Sequence, residues 1–158
     1  MKDIDLAALA ASAQARLVAA EVDKNGQATL YRRPQSGAVE VERIPFHPWC
    51  LVAGRALADS VPGRLAAEPL AGNDVFNVRL TFPDTDTYFA GIKYLRETAG
   101  VPASAPTAPY RLFPDLIQQL LMTLPARLFR DMAFEDLHRL QLDIETETTP
   151  GFDFPNPD

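Results

Sequence analysis

The order of apolar and polar positions divides the chain into short elements. LVAAEV and QATLYRR flank Asp23-Lys24-Asn25-Gly26. Asn-Gly supplies the positive φ angles that a tight turn between twisted strands needs, so this stretch predicts a β-hairpin. After a turn at PQSG, AVEVERI alternates apolar and acidic positions and predicts a strand wet on one face. PWCLVAG predicts a strand, and RALADSV a short helix or turn stopped by Pro62-Gly63. RLAAEPL and DVFNVRLTF predict two strands joined around Ala71-Gly72-Asn73-Asp74. Pro83 and Asp84 open a helix that Asp84 or Thr85 can cap. Tyr88, Ile92 and Leu95, with Phe89 beside them, form its apolar stripe, and Gly100 its stop. Beyond the Pro- and Ala-rich loop VPASAPTAP, Tyr110-Arg111-Leu112 predicts a returning strand.

The middle of the chain therefore runs β-α-β-β-α-β, the split unit of ferredoxin-like and RNA-recognition folds. The expected class is α+β with an antiparallel or mixed sheet. Before the hairpin, Ile4, Leu6 and Leu9 predict a short helix or a frayed lead-in. Pro114 suits the first turn of a further helix, where its missing amide proton costs nothing. Leu116, Ile117, Leu120, Leu121 and Leu124 give that helix a wide apolar face up to Pro125, and ARLFRDM predicts a second short helix or a turn. RLQLDIET predicts a final strand and TETTPGFDFPNPD a loop. The organisation expected is a domain over 1–112 with its split core at 47–112, a helical connector over 113–137, and a strand with a tail over 138–158.

Composition narrows the class. At 158 residues, 47% apolar and 23% charged, the chain is ordinary for a globular protein with a real core. No apolar run approaches the roughly 20 residues of a membrane span. The start, MKDIDLAALAASAQ, carries acids where a secretory signal carries basic residues, which predicts a cytoplasmic, uncleaved protein. Cys50 is the one cysteine and sits in an apolar run, which predicts a small core residue. The net charge of −6 argues against a free-standing nucleic-acid binder. Its distribution is uneven: residues 1–80 hold nine Lys/Arg against nine Asp/Glu, and 81–158 hold six against twelve. Arg32 and Arg33, with Arg43, Arg55, Arg64 and Arg79, leave the first half locally basic; they read either as a phosphate-binding face or as scattered solvated charges.

The chemistry-bearing signal is in the last predicted strand. Side chains alternate faces along a strand, so Asp143 and Glu145 point one way and Leu142 and Ile144 the other. Two carboxylates on one face of an apolar strand repel each other and resist burial. A divalent cation resolves both problems, because hard oxygen ligands suit Mg²⁺ or Mn²⁺. Phosphodiester hydrolysis uses two such ions about 4 Å apart, and a full site takes three or four carboxylates from several strands. Asp-x-Glu supplies part of one. Acids at the end of a strand are also a common structural feature, and the tripeptide by itself does not separate the two.

The chain resembles the N-terminal region of family B DNA polymerases of the archaeal and bacterial type. The family's first exonuclease motif, Phe-Asp-Ile-Glu-Thr, is similar to Leu142-Asp143-Ile144-Glu145-Thr146 here. Upstream, FHPWCLV resembles the family's strand beginning Pro-Tyr, VFNVRLTFPD its strand–Thr-x-Pro–helix step, and YRLFPDLIQQLL the segment leading its next helix. The resemblance spans residues 16–148, and Asp-Ile-Glu-Thr is its one sharp motif.

What the resemblance implies is a polymerase with a 3′–5′ proofreading exonuclease of ribonuclease H-like fold. Its substrates are a DNA primer–template and deoxynucleoside triphosphates, and it works in the cytoplasm at the nucleoid. Asp143 and Glu145 match ligands of the two catalytic metals, Mg²⁺ or Mn²⁺, and 138–158 match the first exonuclease strand. The partner aspartates and the polymerase motifs are then expected in polypeptide beyond Asp158. By itself this portion is expected to be an inactive scaffold that contacts template, with Trp49, Arg32 and Arg33 as contact candidates. Pro48-Trp49 and Pro83 match positions around the uracil-sensing pocket of archaeal relatives. Asp86 stands where that pocket needs a small apolar residue, so uracil sensing is not expected. Two other readings stand beside this one: a self-contained nucleic-acid-binding or protein-binding module, and a free-standing exonuclease of the same superfamily.

Overall fold

The computed structural model describes residues 14–72 and 75–137. They form an α+β fold with two antiparallel sheets and three α-helices. The lead-in expected over the first residues, the strand carrying Asp143 and Glu145, and the tail lie outside the described residues.

The first sheet is the expected hairpin extended by one strand: β1 (Leu17–Val22), β2 (Gln27–Arg32) and β3 (Glu40–Pro45), in that order. Its first turn is fixed locally. The Asp23 carboxylate accepts the N–H groups of Asn25 (2.8 Å) and Gln27 (2.9 Å), and Gly26 adopts φ 76°. Period-two alternation places Ala28 and Leu30 of β2 on one face, where they meet Leu17 and Ala20 of β1, Phe46, Leu120 and Ala126. Burying each large aliphatic or aromatic side chain of this set contributes about 1.5–3 kcal/mol.

The second sheet holds β4 (Trp49–Val52), β5 (Ala66–Pro69), β6 (Val78–Thr81) and β7 (Tyr110–Arg111), arranged β5-β6-β4-β7 with every pair antiparallel. DVFNVRLTF, expected to be extended throughout, is laddered only over its last residues. Helix α1 (Arg55–Ser60) follows β4, and α2 (Thr85–Ala99) follows β6. Asp84 caps α2 by accepting Thr87 N–H (2.7 Å), and Gly100 closes it at φ 66°. The helix lays Tyr88, Ile92 and Leu95 on Cys50, Val52, Leu80 and Phe82. Gly91 permits that approach: a Cβ there would stand 2.5 Å from the Phe82 ring.

Helix α3 (Leu116–Thr123) is capped by Asp115, whose carboxylate accepts from Ile117 and Gln118 N–H. Leu120, and beyond the helix Ala126, complete the core of the first sheet. ARLFRDM is a turn rather than a helix, with Phe129 at φ 62° and Asp131 at φ 58°. It returns to β1: Phe129 N–H donates to Leu17 O (2.7 Å) and Arg16 N–H to Arg130 O (2.8 Å). The hairpin turn also meets the start of α2, where Lys24 O accepts the Thr85 hydroxyl (2.9 Å), and Phe46 N–H to Gly26 O (2.7 Å) continues the β2–β3 ladder.

Candidate functional site

The residues singled out from sequence fall into three places. Asp143 and Glu145 are outside the described residues, and no geometry is assigned to them. Among the described residues, no group of three or more His, Cys, Asp or Glu side chains is placed to hold a metal ion.

Trp49 begins β4 and is 7% exposed. Its indole N–H donates to the Thr123 hydroxyl (3.2 Å), and its ring lies 4.9 Å from that of Phe113 in a tilted arrangement. This is a core residue with a satisfied polar edge. Its main-chain N–H donates to Oε1 of Gln119 (2.8 Å), and the other end of that carboxamide donates to Phe113 O (2.6 Å) and Tyr88 Oη (3.3 Å). Gln119 is fully buried. The carboxamide therefore joins β4, α2 and α3 through one side chain. Asp86 sits exposed in the first turn of α2.

Arg32 and Arg33 lie at the end of β2. Arg32 is held by Glu42 across the sheet (3.0 Å). Arg33 is half-buried and laced to Arg16 through the main chain: its N–H donates to Arg16 O (3.0 Å), and its carbonyl accepts Arg16 Nε (2.7 Å). Of the other arginines in the first half, Arg55 and Arg64 both pair with Asp59, and Arg79 pairs with Glu68. Four of the six arginines are thus paired, with three acids between them. Surface pairs of this kind stabilise little, but they reduce the charge offered to a phosphate chain.

Sequence reasoning missed a cleft of about 320 Å³ between the sheets. Phe46, Trp49, Leu120 and Leu124 line its apolar wall, and Thr81 and the Glu68–Arg79 pair its polar side. Its walls come from β3, β4, β5, β6 and α3, so no local pattern announces it. Size and lining suit a small, mainly apolar ligand. Burial governs titration elsewhere in the core: desolvation pushes the Cys50 thiol up to about 12 and the Tyr88 phenol up to about 12. Neither group is available for acid–base or nucleophilic work near neutral pH.

No family model matches the chain, and no curated protein and no solved structure is significantly similar to it.

Proposed function

We propose that this chain is the N-terminal portion of a family B DNA polymerase with a 3′–5′ proofreading exonuclease. The observation that carries the reading is Leu142-Asp143-Ile144-Glu145-Thr146, an acidic pair two residues apart in a run that otherwise alternates with apolar positions. Supporting it, the three upstream segments that resemble the family form one unit. FHPWCLV contributes β4, VFNVRLTFPD contributes β6 and leads into α2, and YRLFPDLIQQLL contributes β7 and α3.

The finer fold reading belongs here as well. We read the second sheet and its helices as a split β-α-β unit. The succession β4-α1-β5-β6-α2-β7 and the neighbour order β5-β6-β4-β7, antiparallel throughout, support it. Residues 1–112 then serve as scaffold and template-side domain, 113–137 as the connector, and 138–158 open the exonuclease.

In the intact enzyme Asp143 and Glu145 would hold divalent cations, Mg²⁺ or Mn²⁺, which would supply water activation and leaving-oxygen stabilisation. The two carboxylates would offset part of the positive charge of the ions, and the remaining ligands would come from polypeptide beyond Asp158. Two carboxylates alone cannot position two metals and a water to the tolerance that in-line displacement requires, so the 158-residue chain is inactive by itself.

The test is made on the full product of the reading frame. Template-directed incorporation of deoxynucleoside triphosphates onto a primed DNA strand is expected; a reading frame without that activity, or one ending at Asp158, overturns the reading.

A further inference from the structure

The turn that returns to β1 encloses a cavity. Phe129 N–H donates to Leu17 O and Arg16 N–H to Arg130 O, which brings the turn against the start of β1. The cavity beside it holds about 260 Å³ and is distinct from the inter-sheet cleft. Among the described residues, Val18, Phe129, Met132 and Leu137 form its apolar lining, and Arg33 and Asp136 are the two charged side chains on its wall.

Two arginines compete here for one set of acceptors, and Arg16 takes them. Its guanidinium donates to Arg33 O (2.7 Å), Asp131 O (3.0 Å) and the Asp136 carboxylate (3.0 Å). Ala133 N–H donates to the same Asp136 oxygen (3.0 Å). Arg33 is left out. It is half-buried, enters no ion pair among the described residues, and its Nη1 is buried without an acceptor. Arg43, also outside those pairs, is exposed. A buried guanidinium N–H with no acceptor is costly, because its hydration is given up and nothing replaces it.

Charge and shape set what would satisfy it. Asp136 is engaged by Arg16, Arg130 and Asp131 pair with each other (3.7 Å), and Glu135 is exposed and off the lining. One unengaged charge remains on the wall, and it is positive. A single negative charge suits it, whereas a phosphate dianion is opposed by Asp136 on the same wall. Among monoanions, a planar carboxylate matches the guanidinium fork. The rest of the lining is apolar, with Phe129 47% exposed. A cavity of about 150 Å³ takes a benzene ring, so this one has room for a ring and a carboxylate. We propose that the cavity is a binding site for a small monocarboxylate with an apolar body. The carboxylate bonds to Arg33, and the body lies against Val18, Phe129, Met132 and Leu137. The inference does not depend on the polymerase reading.

The probe is 3-phenylpropionate, titrated into the isotope-labelled 158-residue protein at neutral pH. Saturable shifts are expected at Val18, Phe129, Met132 and the Arg33 Nε–H, with a Kd on the order of 1 mM for a ligand of this size. The neutral 3-phenylpropanamide keeps the body and loses the charge, and should bind roughly tenfold more weakly. Acetate keeps the charge and loses the body, and should not saturate over the same range. Arg33→Met should weaken binding of the acid by a similar factor while changing that of the amide little. Should Arg33→Met fail to fold, the ratio of acid to amide binding in the wild type decides. Equal binding of acid and amide, saturation by acetate, or undiminished affinity in folded Arg33→Met overturns the proposal. So do shifts centred on the inter-sheet cleft, or no saturation by roughly 10 mM probe.

Discussion

Gln119 Oε1 accepts the main-chain N–H of Trp49 at 2.8 Å, across 70 positions of sequence. The same carboxamide donates to Phe113 O and Tyr88 Oη, so one buried amide satisfies polar groups on β4, α2 and the approach to α3. An apolar replacement leaves these partners in the interior without water, at about 1–3 kcal/mol each. Gln119→Leu is therefore expected to cost about 3 kcal/mol in urea unfolding, followed by the fluorescence of Trp49, the one tryptophan. A loss below about 0.5 kcal/mol would show that the amide is not the joint.

The hairpin turn is set against the second sheet by the absence of a side chain. A Cβ on Gly26 would stand 2.6 Å from Pro83 O and 2.8 Å from Phe46 O, both main-chain atoms, and φ is 76°. Gly37 has a similar φ of 86°, with nothing within 4 Å. Gly37→Ala should cost about 1–2 kcal/mol for the left-handed backbone alone. Gly26→Ala should cost clearly more, because two carbonyls must also move; equal losses would place the turn free of Pro83.

Among the described residues, three aspartates titrate below the ordinary value. Asp136 is held down first by the hydrogen bond from Arg16 and then by Ala133 N–H. The Thr87 hydroxyl and then its N–H lower Asp84, and the Gln27 N–H leads for Asp23. A depressed carboxylate contributes stability that is complete above its unfolded value, near pH 4, and is lost as pH falls through the lower folded value. Stability should therefore decline below about pH 4, and Asp84→Asn or Asp136→Asn should flatten that decline. An unchanged acid limb in both variants would contradict the assignment.

Cys50 is fully buried, and desolvation pushes its thiol up to about 12. Thiolate is the reactive form. A disulfide reagent at pH 8 should modify it only as fast as the second core opens, with the rate rising steeply in denaturant. Immediate stoichiometric labelling of the native protein would show an open route to β4.

Much of the fold follows from local signals, because its start and stop residues act locally. Asn25-Gly26 makes the turn, Asp84 and Gly100 bound α2, and Asp115 opens α3. Period-two alternation in LVAAEV, QATLYRR and AVEVERI is decided within each strand and its neighbour. The rest required distant partners. Gln119 lies in an apolar helix, and only its meeting with Trp49 and Phe113 explains why a glutamine is fully buried there. ARLFRDM carries helix-forming residues, but pairing of Phe129 and Arg130 with the start of β1 draws it into a turn. Arg32, Arg55, Arg64 and Arg79 read as part of a candidate basic face until Glu42, Asp59 and Glu68 are placed beside them. The inter-sheet cleft has walls from five elements and no sequence period of its own. Asp143 and Glu145, with the strand expected to carry them, lie outside the described residues, so the motif stands on sequence.

The most direct measurement is 3′-end degradation of single-stranded DNA by the full product of the reading frame, with Mg²⁺, comparing wild type with the double change Asp143→Ala and Glu145→Ala. If the pair is half of a two-cation site, the double change should cut the rate by at least about a thousandfold while primer extension persists. Degradation at an undiminished rate in the double variant would contradict the account.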